Sequence, residues 1–401
     1  MQENIKSLVA TSVAHFANDG NLYVFITLYP RLFPLGSEGL LVGTLAGLQS
    51  LFSVVASPFV GRIADRKGNF SFLLPLGLSL MGVGIIGYSI LPIFASGFTL
   101  FLYLVPFAIV GGAGSSFYHP LGGAVLHQKW QHGSIGRAMG LNGSIGSFGR
   151  ALFPILVVSL VVYFQVPSVT ALAIFAFAAS AFVAYLLHSV KFAARPKTKQ
   201  GNESTVPIRK IISPIFTLTI VAFLREMFAF GIVIFIPNYL TSITKFGYSI
   251  GLGLSFSLIL GMSIAGQPVF GYLADHIGRR LALGISIAGA SASILILLNV
   301  NNEIADVALL ASFGFFIFTG FPLVLPLANS IAVEGSGTMS GSIVWGIGDS
   351  SGATVGPILV GLLATYIFPG SLRSAYYVMA LLVLASLAIL PTVPKPRPKR
   401  T

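Results

Sequence analysis

Twelve apolar runs, each long enough to cross a lipid bilayer, follow one another along this chain. At 1.5 Å of rise per residue, a hydrocarbon core of about 30 Å takes roughly 20 helical residues. Runs of that length are read near 8–32, 38–61, 70–91, 95–118, 136–163 and 168–190, then near 211–238, 248–271, 279–299, 306–330, 338–366 and 372–391. Only 8% of the 401 residues are charged and 55% are hydrophobic, with a mean hydropathy of +0.89. A soluble domain usually carries about 25% charged residues to keep its surface hydrated. The fold class expected is therefore an all-α integral membrane protein, with six helices in residues 1–190 and six in 211–391. A polar, basic linker at 191–210 joins the two sets and a short tail follows at 392–401.

A net charge of +12 and a pI near 10.0 suggest nucleic acid at first sight, but the distribution of charge argues against it. Basic residues gather in alternate loops: Lys6, Arg62, Arg66, Lys67, Lys129, Arg137, the linker, Arg279, Arg280 and the tail. The opposite loops and ends hold only Arg31, Lys245 and Arg373. Anionic headgroups and the positive-inside bias account for this asymmetry, which places both termini in the cytoplasm of a plasma-membrane protein. No processed signal peptide is expected, because the first apolar run continues without a convincing cleavage site. The chain has no cysteine, which excludes disulfide and thiol chemistry. Abundant Gly (45) and Phe (33) suit helices whose backbones approach closely.

A short charged sequence occurs twice, each time at the end of the second run of a half. Gly61-Arg62-Ile63-Ala64-Asp65-Arg66-Lys67-Gly68 is echoed by Gly271-Tyr272-Leu273-Ala274-Asp275-His276-Ile277-Gly278-Arg279-Arg280. Equivalent placement in two halves points to an internal repeat. A carboxylate there accepts bonds from the N-terminal N–H groups of a neighbouring helix or pairs with a nearby arginine. Gly68 and Gly278 let the chain turn tightly. The expectation is a conformational latch that forms in one state and breaks in another.

With twelve spans in two sets of six and this motif in both 2–3 loops, the chain resembles the major facilitator superfamily. The first copy matches the superfamily pattern at Gly61, Asp65, Arg66 and Gly68, and the second at Gly271, Asp275, Gly278, Arg279 and Arg280. Asn69, Phe70 and His276 stand where basic residues are usual. Within that superfamily the chain is similar to the fosmidomycin-resistance-like exporters. That narrower likeness rests on His15 through Asp19 with Tyr29-Pro30, and on Gly114 through Pro120. It implies proton-driven export of small drug-like or metabolite molecules, and for Tyr118, His119 and Pro120 a gate or entrance role. From the residues alone, Pro120 stops or kinks the fourth helix at the cytoplasmic loop.

Charges inside a span cost roughly 2.5–3.5 kcal/mol each on insertion scales and normally face a cavity or a partner. Asp19, Arg150, Arg225, Glu226 and Asp349 all fall within spans. His15, Asp19 and Tyr23 follow one another at i, i+4 and i+8, on one face of the first helix. An imidazole titrating near neutrality beside a carboxylate makes a proton-coupling face. The seventh helix, its repeat partner, carries Arg225-Glu226. Neighbours on a helix diverge by about 100°, so one is expected to line a cavity and the other to pair with an adjacent helix. Arg225 is a candidate to hold an anion or to neutralise Asp19 from the other half. The fifth helix carries a glycine stripe, Gly140, Gly143, Gly146 and Gly149, before Arg150 and Pro154. The eleventh carries Gly348, Gly352 and Gly356 with Asp349 and Pro357. Matching Pro154 to Pro357 sets Arg150 one turn from the equivalent of Asp349. The resemblance implies that helices one, five, seven and eleven share a central cavity, which unites these charges. In the exporter signature of the fifth helix, Phe153 stands where a glycine precedes the proline.

An ATP-driven pump lacks its phosphate loop and nucleotide domain here. A metalloenzyme lacks compact ligand spacing among His15, His119, His127 and His132. A channel lacks repeated filter elements. Secondary transport by alternating access is the leading expectation, either proton-coupled export of small amphipathic molecules or import of an organic anion held by intramembrane arginines. The expected partners are a small-molecule substrate, protons and the lipid bilayer. No cofactor or nucleic acid is expected, and the chain is expected to work as a monomer.

Overall fold

The computed structural model describes residues 2–34, 38–67, 70–130, 134–192, 208–243, 247–333 and 337–395, without the side chains of 65–67, 208, 243, 321 and 337–338. Among these residues the regular structure is entirely helical. The first half supplies α1 (Glu3–Leu32), α2 (Gly39–Lys67), α3 (Phe70–Ile90), α4 (Gly97–Ser115), α5 (Tyr118–Lys129), α6 (Ile135–Phe164) and α7 (Thr170–His188). The second supplies α8 (Ile208–Ile243), α9 (Ile250–Ile277), α10 (Arg279–Leu297), α11 (Glu303–Ile317), α12 (Gly320–Ile331), α13 (Gly337–Ile343), α14 (Ser350–Leu362) and α15 (Leu372–Ile389). Most of the linker (193–207) and of the tail (396–401) lies outside the described residues.

Eleven helical stretches among the described residues are long and apolar enough to span a membrane. The first of the twelve expected spans, α1, is 30 residues long but too polar to meet that standard. Its position explains its composition. α1 packs against α3, α4, α5, α6 and α7, and Ser7, Thr11, Asn18, Asp19, Asn21 and Thr27 are all buried. A helix sheathed by other helices meets little lipid, so its polar groups face protein instead of hydrocarbon.

Two expected spans are each broken in two. The fourth, expected to end at 118, stops at Ser115 and resumes as α5 to Lys129. Of the two outcomes expected at Pro120, a stop or a kink, the structure shows the kink: with no N–H to give the Ser116 carbonyl four residues back, the span is interrupted at Ser116–Phe117 and continues beyond. The proline is the third residue of α5, in the first turn, where a missing N–H leaves no bond unmade. The tenth span breaks in the same way between α11 and α12, and Pro322 is likewise the third residue of its second piece. The repeat read from the loop motif therefore extends to a matched helix break in each half. The eleventh span is α-helical at both ends of Val344–Asp349, which is wound as π-helix, and a second π turn follows at Leu363–Ile367.

The chain forms two compact units. One comprises Met1–Leu41, Leu48–Thr198 and Pro237–Ser257, and the other Val42–Gly47, Lys199–Ile236 and Leu258–Thr401. In the first unit, the segment around 238–257 is tied to the C-terminal end of α1. Asn238 Nδ2 donates to the Phe33 carbonyl at 3.3 Å and Tyr248 donates to the Thr27 carbonyl at 3.1 Å. In the second, Gly43 and Gly47 let the α2 backbone lie directly on Thr354–Ile358 of α14.

Candidate functional site

The first unit centres on the contact between α1 and α6. A Cβ at Gly149 would fall on the Phe16 carbonyl, and one at Gly146 would fall inside the His15 ring. Gly20 gives the same relief on α1, where the Phe153 ring occupies the space. Phe153, which departs from the exporter signature, thus exchanges a small residue on α6 for one on α1. The expected glycine stripe is only half used, because a Cβ at Gly140 or Gly143 would meet no atom within 4 Å.

These approaches bring together a buried polar cluster. Arg150 NH2 donates to Asp19 Oδ2 at 2.7 Å, and His15 Nε2 lies 3.5 Å from the same oxygen. Asp19 Oδ1 accepts from Asn18 Nδ2 at 3.2 Å and has His119 Nε2 at 4.0 Å. The His119 side chain is 68% exposed while that of Asp19 is 6%, so the histidine reaches from an open position to a shielded carboxylate. His15 Nδ1 lies 3.0 Å from the backbone carbonyl of Asn142, which can only accept, so this nitrogen carries a hydrogen. Nε2 then faces a carboxylate. Only the doubly protonated imidazolium donates on both sides, and a neutral ring leaves one contact unmade. Tyr118 stacks on His15 at 4.3 Å between ring centres and bonds Asn142 Oδ1 at 2.5 Å, fixing the far side of the site. Tyr23, one turn beyond Asp19, is buried with its ring edge-on to Phe256 at 6.0 Å.

The second unit has a cluster of its own. Arg225 is fully buried and donates to Glu226 and to the carbonyl of Ile317. Ile317 ends α11, where the helix break leaves carbonyls without their intrahelical partners, and a cation there also meets the negative end of the helix dipole. Arg225 and Glu226, expected to diverge, bend back onto each other because both side chains are long enough to close the gap. Gly320 opens the space that the guanidinium fills. Asp349 sits at the end of the π turn, 4% exposed, and neither carboxylate oxygen has a hydrogen-bond partner. Gly348, Gly352 and Gly356 set this stretch against the α8 backbone at Thr219, Phe223 and Met227.

The two loop motifs are described unequally. The side chains of Asp65 and Arg66, and all of Gly68, lie outside the described residues; Gly61 is helical with open space around it. In the second copy Gly278 has φ +87° and alone separates α9 from α10, as the tight turn requires. Asp275 pairs with Arg279 at 4.0 Å on an exposed face, and Arg280 donates to the carbonyls of Pro391 and Val393 at 3.3 and 2.9 Å. Gly271 stands in open space.

Three groups escaped the sequence reading. Asn142 orients both His15 and Tyr118, yet an uncharged residue in a glycine-rich run gives no local signal. Glu3 and Lys129 form an ion pair at 2.8 Å at one end of the first unit. Lys129 also donates to the Lys191 carbonyl, and Trp130 donates to that of Asn4 at 3.1 Å. The Lys129 and Lys191 contacts hold the Glu3 carboxyl below its ordinary pKa.

Residues 11–348 match the Major Facilitator Superfamily. The chain belongs to that superfamily. It is a multi-pass membrane protein of a family of transporters, not of enzymes. Over 270 residues this superfamily member is 24% identical to the tetracycline resistance protein, class E, of Escherichia coli, covering 64% of this chain and 62% of that protein. Over 162 residues it is 33% identical to the multidrug resistance protein MdtG of Serratia proteamaculans, covering 38% and 37%. The matches thus span less than two thirds of either relative. In fold it is similar to a bacterial homologue of the human lysosomal transporter Spinster, solved inward-facing and unoccupied. That TM-score is 0.71 at 13% identity, over 98% of this chain and 96% of the other. A variant of the nucleoside transporter NupG gives 0.70 at 12%, over 98% and 100%.

Proposed function

We propose that this superfamily member is a secondary transporter of the plasma membrane that exports small amphipathic or drug-like molecules in exchange for protons. The observation that carries the reading is the placement of Asp19. One shielded carboxylate is shared by a guanidinium and approached by two imidazoles, one of them exposed. Protons delivered through His119 and His15 would compete with Arg150 for that carboxylate and loosen the α1–α6 contact. A titration is thereby coupled to helix packing, which is what a proton-driven conformational change needs. The names of the relatives, tetracycline and multidrug resistance, favour export of amphipathic compounds. The narrower likeness to the fosmidomycin-resistance-like exporters rests on the motifs around His15–Asp19 and Gly114–Pro120 alone.

The paired loop motifs serve in this reading as conformational latches on the cytoplasmic side, with both termini on that side and the chain acting as a monomer. Import of an organic anion has less support, since Arg150 and Arg225 are both engaged by carboxylates. The test is tetracycline accumulation in inverted vesicles or proteoliposomes under an imposed proton gradient. Accumulation that follows the gradient in the wild type and vanishes in Asp19→Asn is the expected result. Gradient-driven accumulation that survives in Asp19→Asn would remove Asp19 from the coupling role.

A further inference from the structure

Of the three acids that lie well inside the expected spans, Asp19, Glu226 and Asp349, the last is the one with no hydrogen-bond donor on either carboxylate oxygen. Its side chain is buried. Asp19, by contrast, has Arg150 and Asn18 as donors, and Glu226 has Arg225. The charged groups that face Asp349 are Glu226 and Arg225, both from α8. Among the described residues the π turn also packs on α12, α13 and α14, which contain no Asp, Glu, His, Lys or Arg. Arg225 already serves Glu226 and the broken end of α11, so a single cation stands against two carboxyl groups. If both were ionised, the cluster would hold an uncompensated negative charge out of water, the arrangement that buried sites avoid by taking up a proton. Asp349 also ends the π turn Val344–Asp349, a winding frequently found at functional sites.

We infer that Asp349 holds a proton in this conformation, making the Arg225–Glu226–Asp349 group a second proton-holding site, in the other compact unit from that of Asp19. Its place in a transport cycle rests on the function proposed above; its protonation does not. With Asp349 un-ionised the group is neutral, and on release of that proton it carries one negative charge.

The test is infrared spectroscopy of the purified full-length protein, read at the carbonyl stretch of an un-ionised carboxylic acid. At neutral pH the wild type shows a band that Asp349→Asn loses and Asp19→Asn keeps, and the band fades reversibly as pH rises. Should Asp349→Asn fail to fold, Asp349→Glu retains a carboxyl and displaces the band. Dicyclohexylcarbodiimide, which adds to un-ionised carboxyls in apolar surroundings, labels the fragment containing Asp349, as read by mass spectrometry. A neutral-pH spectrum with no band that depends on residue 349 overturns the inference. Neither readout involves cargo. A band that depends on Asp349 upholds the inference even in a preparation that moves no tetracycline, and its absence overturns it even in one that does.

Discussion

Arg150 on α6 donates to Asp19 on α1 at 2.7 Å, across a contact so close that Gly146 and Gly149 can carry no side chain. The ion pair and the glycines depend on each other. The guanidinium reaches the carboxylate because the two backbones nearly touch, and the charges are tolerated there because each has the other.

Replacing one partner strands the second. Asp19→Asn or Arg150→Gln alone is expected to lower stability by about 3 kcal/mol, the lower end for breaking a buried pair, because Arg150 retains some exposure. The double substitution is expected to recover much of that loss in thermal unfolding in detergent. Gradient-driven accumulation is expected to stay absent in all three variants. Additive losses in the double variant would show that the pair is not coupled.

The glycine stripe of α6 divides into two classes. Gly146→Ala drives a methyl group into the His15 ring and is expected to cost roughly 1–3 kcal/mol, as overpacking does. Gly143→Ala meets only open space and is expected to gain about 0.5–1 kcal/mol by stiffening the unfolded chain. Unfolding midpoints of the two variants, measured side by side, check the opposite signs.

The second loop motif makes a similar contrast. Gly278→Ala forces a φ of +87° on an alanine, a strain of roughly 1–3 kcal/mol. Gly271→Ala, in open space within α9, is expected to gain about 0.5–1 kcal/mol, as Gly143→Ala does, and to leave transport close to wild type. Equal effects at both positions would mean that the motif needs its glycines for some purpose other than the turn.

The Glu3–Lys129 contact is expected to show in acid. A carboxyl held below its ordinary value contributes stability above the unfolded pKa of about 4.3 and loses it as pH falls through the lower folded value. Wild type and Glu3→Gln are therefore expected to differ most in unfolding midpoint at neutral pH and to converge in acid. Curves that stay parallel down through that window would remove the ion pair from the balance.

His15 and Asp19 were legible as a pair because their spacing is a property of one helix. That Arg150 belongs with them followed only from counting spans and from the resemblance, and the structure adds the distance. Asn142 was not legible at all. Its partners His15 and Tyr118 lie on α1 and α5, and nothing in its own neighbourhood singles it out. At Pro120 the residues left a stop and a kink both open, and the structure shows the kink. A proline disrupts the bond to the carbonyl four residues back, and whether the chain then resumes as helix depends on what the following residues pack against.

Membrane residence, the helical class and the run of spans are set by the sequence, because each follows from the transfer cost of residues summed along a short window, and the twofold repeat is set by the loop motif that recurs at equivalent places in the two halves. The partners of each buried charge, the two glycines of α6 that are needed, and the tolerance of a polar α1 are decided by tertiary structure. Those outcomes depend on which helix faces meet, and residues more than a hundred positions apart, such as Asp19 and Arg150, find each other only when the bundle closes around them.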